Sequence, residues 1–150
     1  MRFTSKDLNK TVILHPEETE KQRKWYIVDA NWKTLWRLAV QIANKLIWKH
    51  KPYYTDSWDV GDFVVVKNAK YIHVTGKKLQ DKTYYYHSGY KGSTRQLVLE
   101  QLLQKYPEHA VWYAVRGMLP KNKLRKYRMK RLKVFAKDTN KYDYLNPEQL

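Results

Sequence analysis

A helical stripe set between two apolar runs constrains this chain more than any other feature. Leu35, Leu38, Ala39, Ile42, Ala43 and Leu46 recur at spacings of three and four, one continuous face at the 3.6-residue period. Thr34 is placed to cap this helix and Pro52 to stop it. Ahead of the helix, Trp25-Tyr26-Ile27-Val28 is a short β-branched and aromatic run ending at Asp29, suited to a buried strand that feeds a turn. Behind it, Phe63-Val64-Val65-Val66 is apolar without alternation, as strands covered on both faces are in parallel sheets. The order strand, helix, strand predicts two parallel strands joined by a right-handed crossover, the core of an α/β domain.

The rest of the chain adds elements to that core. Tyr71–Val74 and Thr83–Tyr86 read as strands on either side of a Gly76-Lys77-Lys78 turn. From Thr94 the pattern is helical, with Leu97, Val98, Leu102 and Leu103 on one face. Pro107 starts a second helix, which carries Ala110, Val111, Ala114 and Val115 and which Gly117 is placed to end. The segment Lys121–Lys137 reads as a helix passing into a strand at Leu132, Val134 and Phe135. Residues 1–24 form an arm with one short helical turn, residues 25–137 a single domain, and residues 138–150 a polar, extended tail.

Charge narrows the partner. Thirty Lys and Arg against 14 Asp and Glu give +16, far beyond what solubility needs, and a polyanion makes such an excess useful. A hydrophobic content of 43% excludes a wholly disordered basic tail. No run of 18 apolar residues occurs and the first ten residues are charged, so neither a membrane partner nor a secretory signal is expected. Cysteine is absent, which removes disulfides, thiolate nucleophiles and Cys-ligated zinc.

Enzyme chemistry finds little support. Asp29, Asp59 and Asp62 flank the two predicted strands, where α/β folds place ligand groups, but ion pairing with the surrounding bases is the commoner use of such carboxylates. No glycine-rich phosphate cradle follows a strand. His15, His50, His73, His87 and His109 show no metal-ligand spacing, and Ser88 beside His87 lacks the strained elbow of a nucleophile. The expectation is no cofactor and no small-molecule substrate. The rival reading, a small α/β enzyme, requires a ligand pocket near Asp29 and Asp62.

The bases, in contrast, cluster with planar side chains. Lys49 to Tyr54, Thr75 to Lys78, Tyr84 to Gly92 and Lys121 to Lys137 each combine positive charge with aromatics or turn residues, and the last holds nine bases in 17 residues with no acid. No zinc finger or RNA-recognition signature appears, so recognition through phosphates and shape is expected rather than base readout. The candidate contacts are Lys49, Lys51, Lys77, Lys78, His87, Ser88, Lys91, Lys121, Lys123, Arg125, Lys126, Arg128, Lys130, Arg131 and Lys133. A free RNA-binding regulator would carry the same charge.

The order of short motifs from Trp25 to Ala136 resembles the large-subunit ribosomal protein L thirteen family of bacteria and organelles. It begins with Trp25-Tyr26-Ile27-Val28-Asp29-Ala30 and continues with Arg37-Leu38-Ala39, Lys49-His50-Lys51-Pro52, Gly61-Asp62, Val74-Thr75-Gly76-Lys77-Lys78 and His87-Ser88-Gly89. Val115-Arg116-Gly117-Met118-Leu119-Pro120-Lys121-Asn122 is the most specific piece, and Leu132-Lys133-Val134-Phe135 follows it. The resemblance implies a three-layer α/β/α domain around a mainly parallel four-stranded sheet, with extended basic arms and no catalysis. It further implies binding to large-subunit ribosomal RNA, neighbouring large-subunit ribosomal proteins as partners, and a place on the ribosome of a bacterial cytoplasm or an organelle. It also implies that His87-Ser88-Gly89 and the Gly117–Asn122 turn face RNA.

Three departures from that family stand out. Trp32, Trp36 and Trp48 occupy places where the family usually has glycine. Glycine permits a positive φ and close backbone approach, and tryptophan permits neither cheaply. Either the indoles fill vacated space, or they stack on RNA or a partner; glycine and tryptophan codons also differ by a single base.

Overall fold

The computed structural model describes residues 16–49, 51, 54–55, 57–139 and 141–150. Most of the N-terminal arm, and His50, Pro52 and Tyr53 of the first basic cluster, lie outside them. Within the arm, a short helix α1 spans Pro16–Lys21.

Strand β1 (Trp25–Asp29), helix α2 (Leu35–Ile47) and strand β2 (Phe63–Lys67) form the expected unit, with Trp25 opposite Phe63 and Asp29 opposite Lys67 in parallel register. The six stripe residues of α2 are all buried, joined by Ile47. Val64, Val65 and Val66 are fully buried, as a strand covered on both faces must be. In-register pairing puts Tyr26, Val28, Val64 and Val66 on one face, where they join the stripe of α2 in the main core. Trp25, Ile27, Phe63 and Val65 share the other face.

Two more parallel strands complete the sheet, β5 (Leu132–Val134) beside β2 and β6 (Glu148–Gln149) beside β1, in the order β5-β2-β1-β6. Helices flank this four-stranded sheet. Within the tail, expected to be polar and extended, Glu148 and Gln149 pair with β1 as β6. Leu150 N–H donates to Ile27 O at 3.0 Å, Lys24 Nζ meets Glu148 at 2.5 Å, and Tyr142 stacks 5.3 Å from Trp25, itself stacked on Phe63 at 4.2 Å. Single apolar residues among polar neighbours carry this contact, so no periodicity announces it.

The segment Tyr71–Val74 is not a sheet strand. Asn68, at φ 58°, turns the chain out of β2 into a 3-10 turn over Ala69–Tyr71, and His73 forms only an isolated bridge with Thr34. Its backbone runs along the entry to α2: Trp32 N–H donates to Tyr71 O, His73 N–H to Lys33 O, and Leu35 N–H to His73 O. The first amide of α2 is thereby satisfied, and the Thr34 side chain makes no capping bond.

A separate antiparallel hairpin joins β3 (Thr83–Tyr86) to β4 (Arg95–Val98), after a short helix α3 (Lys78–Asp81). The helix expected from Thr94 starts only at Leu99, because Leu97 and Val98 pair across the hairpin with Tyr84 and Thr83. Helix α4 spans Leu99–Lys105, α5 Pro107–Met118 with Pro107 in its first turn, and α6 Leu124–Lys130. Gly117 lies inside the last turn of α5 without a positive φ, so it does not end the helix as a left-handed residue would.

Candidate nucleic-acid interface

Five bases, four exposed and Arg125 half-buried, gather between α5 and α6. Arg116, Lys123, Arg125, Lys126 and Lys130 line a groove of about 720 Å³ whose apolar parts are Trp112, Tyr127 and Met129. Among the described residues none of these five bases is paired with a carboxylate, and no acid lines the groove. Arg116 lies one helical turn beyond Trp112 and places its guanidinium carbon 5.2 Å from that ring's centroid. Asn122 Oδ1 accepts from Arg125 N–H at 3.2 Å and shapes the entry to α6. Four of the predicted contacts, Lys123, Arg125, Lys126 and Lys130, thus come together. Arg116, Trp112 and Tyr127 were not foreseen, although the four-residue spacing of Trp112 and Arg116 on a predicted helix was a legible signal.

Two members of the same basic run, Arg128 and Arg131, are buried and turned inward. Arg131 grips Asp59 with both terminal nitrogens and donates from Nη2 to Leu46 O at 3.3 Å, closing the C-terminal end of α2. Arg128 Nε lies 3.8 Å from the same carboxylate. One carboxylate thus faces two buried guanidiniums, which sets both apart from the exposed bases of the groove. The run itself contains no acid, and Asp59 reaches these two members from a distant loop.

Lys51 is also engaged. Its ammonium sits 2.9 Å from buried Asp62 and 4.1 Å from the Trp48 ring, and desolvation draws its pKa down against the opposing pull of Asp62. Lys49, Lys77, Lys78, Lys91 and Lys121 are exposed, and Lys133 is half-buried on β5 opposite Val65.

The turn between β3 and β4 holds the second group. His87 and Ser88 line a shallow cavity of about 550 Å³ with Gly92 and Arg95. His87 Nδ1 accepts from Gly89 N–H at 2.9 Å, and Ser88 N–H donates to Ser93 Oγ at 3.3 Å, so both residues shape the loop. Gly89 and Gly92 adopt φ values of 96° and 77°, which their neighbours could not take at low cost. Tyr86 in β3 is pushed up to about 12 by its hydrogen bond with Tyr113 of α5.

The carboxylates on which an enzyme would rely are apart and occupied. Asp29 and Asp62 lie at opposite ends of the paired strands, roughly 16 Å apart at the rise of an extended chain. Asp29 accepts from Asn31 N–H and Asn68 Nδ2, both at 3.0 Å, and the Asn31 bond holds its carboxyl below the usual range. Asp62 accepts from Lys24 N–H at 3.1 Å as well as from Lys51. The cavity of about 620 Å³ beside Asp29 contains Lys67, which is bridged to Asp138 and Asp143. Among the described residues no three metal-ligating side chains converge, and no helix is long and apolar enough to cross a membrane.

The three tryptophans have three different settings. Trp48 caps α2 at φ 75°, fully buried; Trp32 stands at φ 57° with 81% of its surface exposed; Trp36 packs half-buried against the core. Gly61 shows why a neighbouring glycine is retained: a Cβ there would lie 1.7 Å from Leu46 O.

Comparison with known proteins agrees with these motifs. Residues 23–141 match the family model described as ribosomal protein L13. The chain is 48% identical over 143 residues to the large ribosomal subunit protein uL13 of Thermotoga petrophila, covering 95% of each chain. It is 47% identical over 141 residues to that of a Thermoanaerobacter species, covering 94% of this chain and 97% of the relative. For Thioalkalivibrio sulfidiphilus the identity is 46% over 141 residues. With the match running through the sheet, the α5–α6 groove and the hairpin turn, the chain belongs to the ribosomal protein L13 family.

Proposed function

We propose that this protein is a structural constituent of the large ribosomal subunit that binds and stabilises large-subunit ribosomal RNA, with neighbouring ribosomal proteins as further partners. Five bases around the α5–α6 groove that find no carboxylate among the described residues, in a chain of +16, are the observation that carries this reading. Like charges held together without counter-charge repel one another, and a phosphate backbone relieves that repulsion while releasing its own counterions. Lys49, Lys77, Lys78, Lys91, Lys121 and Lys133, with His87 and Ser88, extend the contact set; Lys51, Arg128 and Arg131 act instead by holding the fold. Relatives named as large ribosomal subunit proteins of bacteria support a place on the ribosome, in a bacterial cytoplasm or an organelle.

Sedimentation tests the reading directly. On a sucrose gradient at high salt the protein should travel with the large subunit; recovery near the top of the gradient, with RNA binding intact, would instead mark a free regulator.

A further inference from the structure

The α5–α6 groove holds more than charge, and its apolar part is not needed to bind a backbone. Trp112 is half-buried with its ring under the guanidinium of Arg116, whose own residue is exposed. Tyr127, also exposed, and buried Met129 add to the apolar surface between the bases. A duplex presents phosphates outward and keeps its bases stacked, so it makes no use of a plane set inside a groove. Unpaired nucleotides do: their bases stack on aromatic rings and on arginine planes while adjacent lysines follow the backbone.

We propose that this groove is a seat for an unpaired RNA nucleotide. The base stacks on the Arg116 plane backed by Trp112, and Lys123, Lys126 and Lys130 neutralise the flanking phosphates. The groove is open, and its volume of about 720 Å³ leaves room for a nucleotide; five cations with no acid among the lining residues favour a phosphorylated ligand. Asn122 has its Oδ1 committed to Arg125 N–H and keeps its amide hydrogens for an acceptor on the base edge. Stacking of this kind tolerates any base, in agreement with the lack of a base-reading signature. The inference rests on the RNA-binding reading above and adds the kind of RNA.

The test uses the full-length protein with two probes, a short oligouridylate and a blunt RNA duplex with the same number of phosphates. Arg116→Lys retains the charge and removes the plane; Trp112→Leu retains apolar bulk and removes the ring. Each should weaken oligouridylate binding by about 5- to 100-fold, leave its salt slope unchanged and leave duplex binding as in wild type. Arg116 is exposed, so its variant reports even if Trp112→Leu fails to fold. Wild-type affinity for oligouridylate in Arg116→Lys overturns the nucleotide seat while leaving the phosphate reading intact, as does an equal loss for both probes. Absence of salt-dependent binding to either RNA by the wild-type protein overturns both. Polyglutamate bound more tightly than oligouridylate, and weakened by the same variants, would assign the groove to an acidic protein and overturn the seat.

Discussion

Trp32 and Trp48 share a backbone conformation and differ in everything else. Both have φ in the left-handed region, which costs a residue with a Cβ about 1–2 kcal/mol. At position 32 the indole is exposed and returns little of that cost, so Trp32→Gly exchanges the strain for glycine's entropy penalty of about 0.5–1 kcal/mol. The expected result is unchanged stability or a gain of up to about 1 kcal/mol. At position 48 the indole is buried, and truncating such a side chain costs about 3–5 kcal/mol. Relief of backbone strain, and of an indole N–H left without a partner, offsets only part of this, so Trp48→Gly should destabilise by about 1–3 kcal/mol. Urea midpoints at constant slope separate the two; a loss at 32 as large as that at 48 would show that Trp32 makes contacts that its exposure conceals. The sequence marked both positions as unusual, yet only the structure distinguishes them, because burial depends on what lies across from the side chain.

At the scale of elements, the C-terminal end of α2 is held by groups that are remote in sequence. Arg131 reaches both Leu46 O and Asp59, Arg23 Nη2 donates to Asp59 O at 3.0 Å, and Gly61 leaves no room for a side chain against Leu46. Replacing Asp59 with Asn removes the charge from between two buried arginines and should cost about 3–5 kcal/mol, measured by denaturant unfolding. A change below about 1 kcal/mol would mean that the arginines are satisfied elsewhere. Here lies the division between what was legible and what was not. The stripe of α2, the apolar run of β2 and the proline at the start of α5 are local patterns, and they gave correct elements. Strand β6, the departure of Tyr71–Val74 from the sheet and the inward turn of Arg128 and Arg131 all depend on partners dozens of residues away. A basic run shows its charge in sequence, but not which of its members meets an acid.

For the whole molecule, that division decides how the +16 is used. Self-repulsion destabilises the compact state, and salt screens it, so the free protein should become more stable as salt rises from low ionic strength. The complex with ribosomal RNA should respond in the opposite sense, because each phosphate neutralised releases counterions that added salt returns. Replacing Lys123, Lys126 and Lys130 with Gln therefore has two expected effects. Stability at low salt stays equal or rises, since three like charges are removed from a surface with no acid among its lining residues. The logarithmic salt slope of RNA binding becomes shallower by about one for each lysine that met a phosphate, up to about three in all. The corresponding change at Arg128 and Arg131 should unfold the protein before its effect on RNA can be read, as both are buried against Asp59. Filter binding at stepped salt, beside thermal unfolding of the same variants, separates the outcomes: a triple lysine variant with an unchanged slope would move the phosphate contact to the hairpin turn and to the lysines around α3.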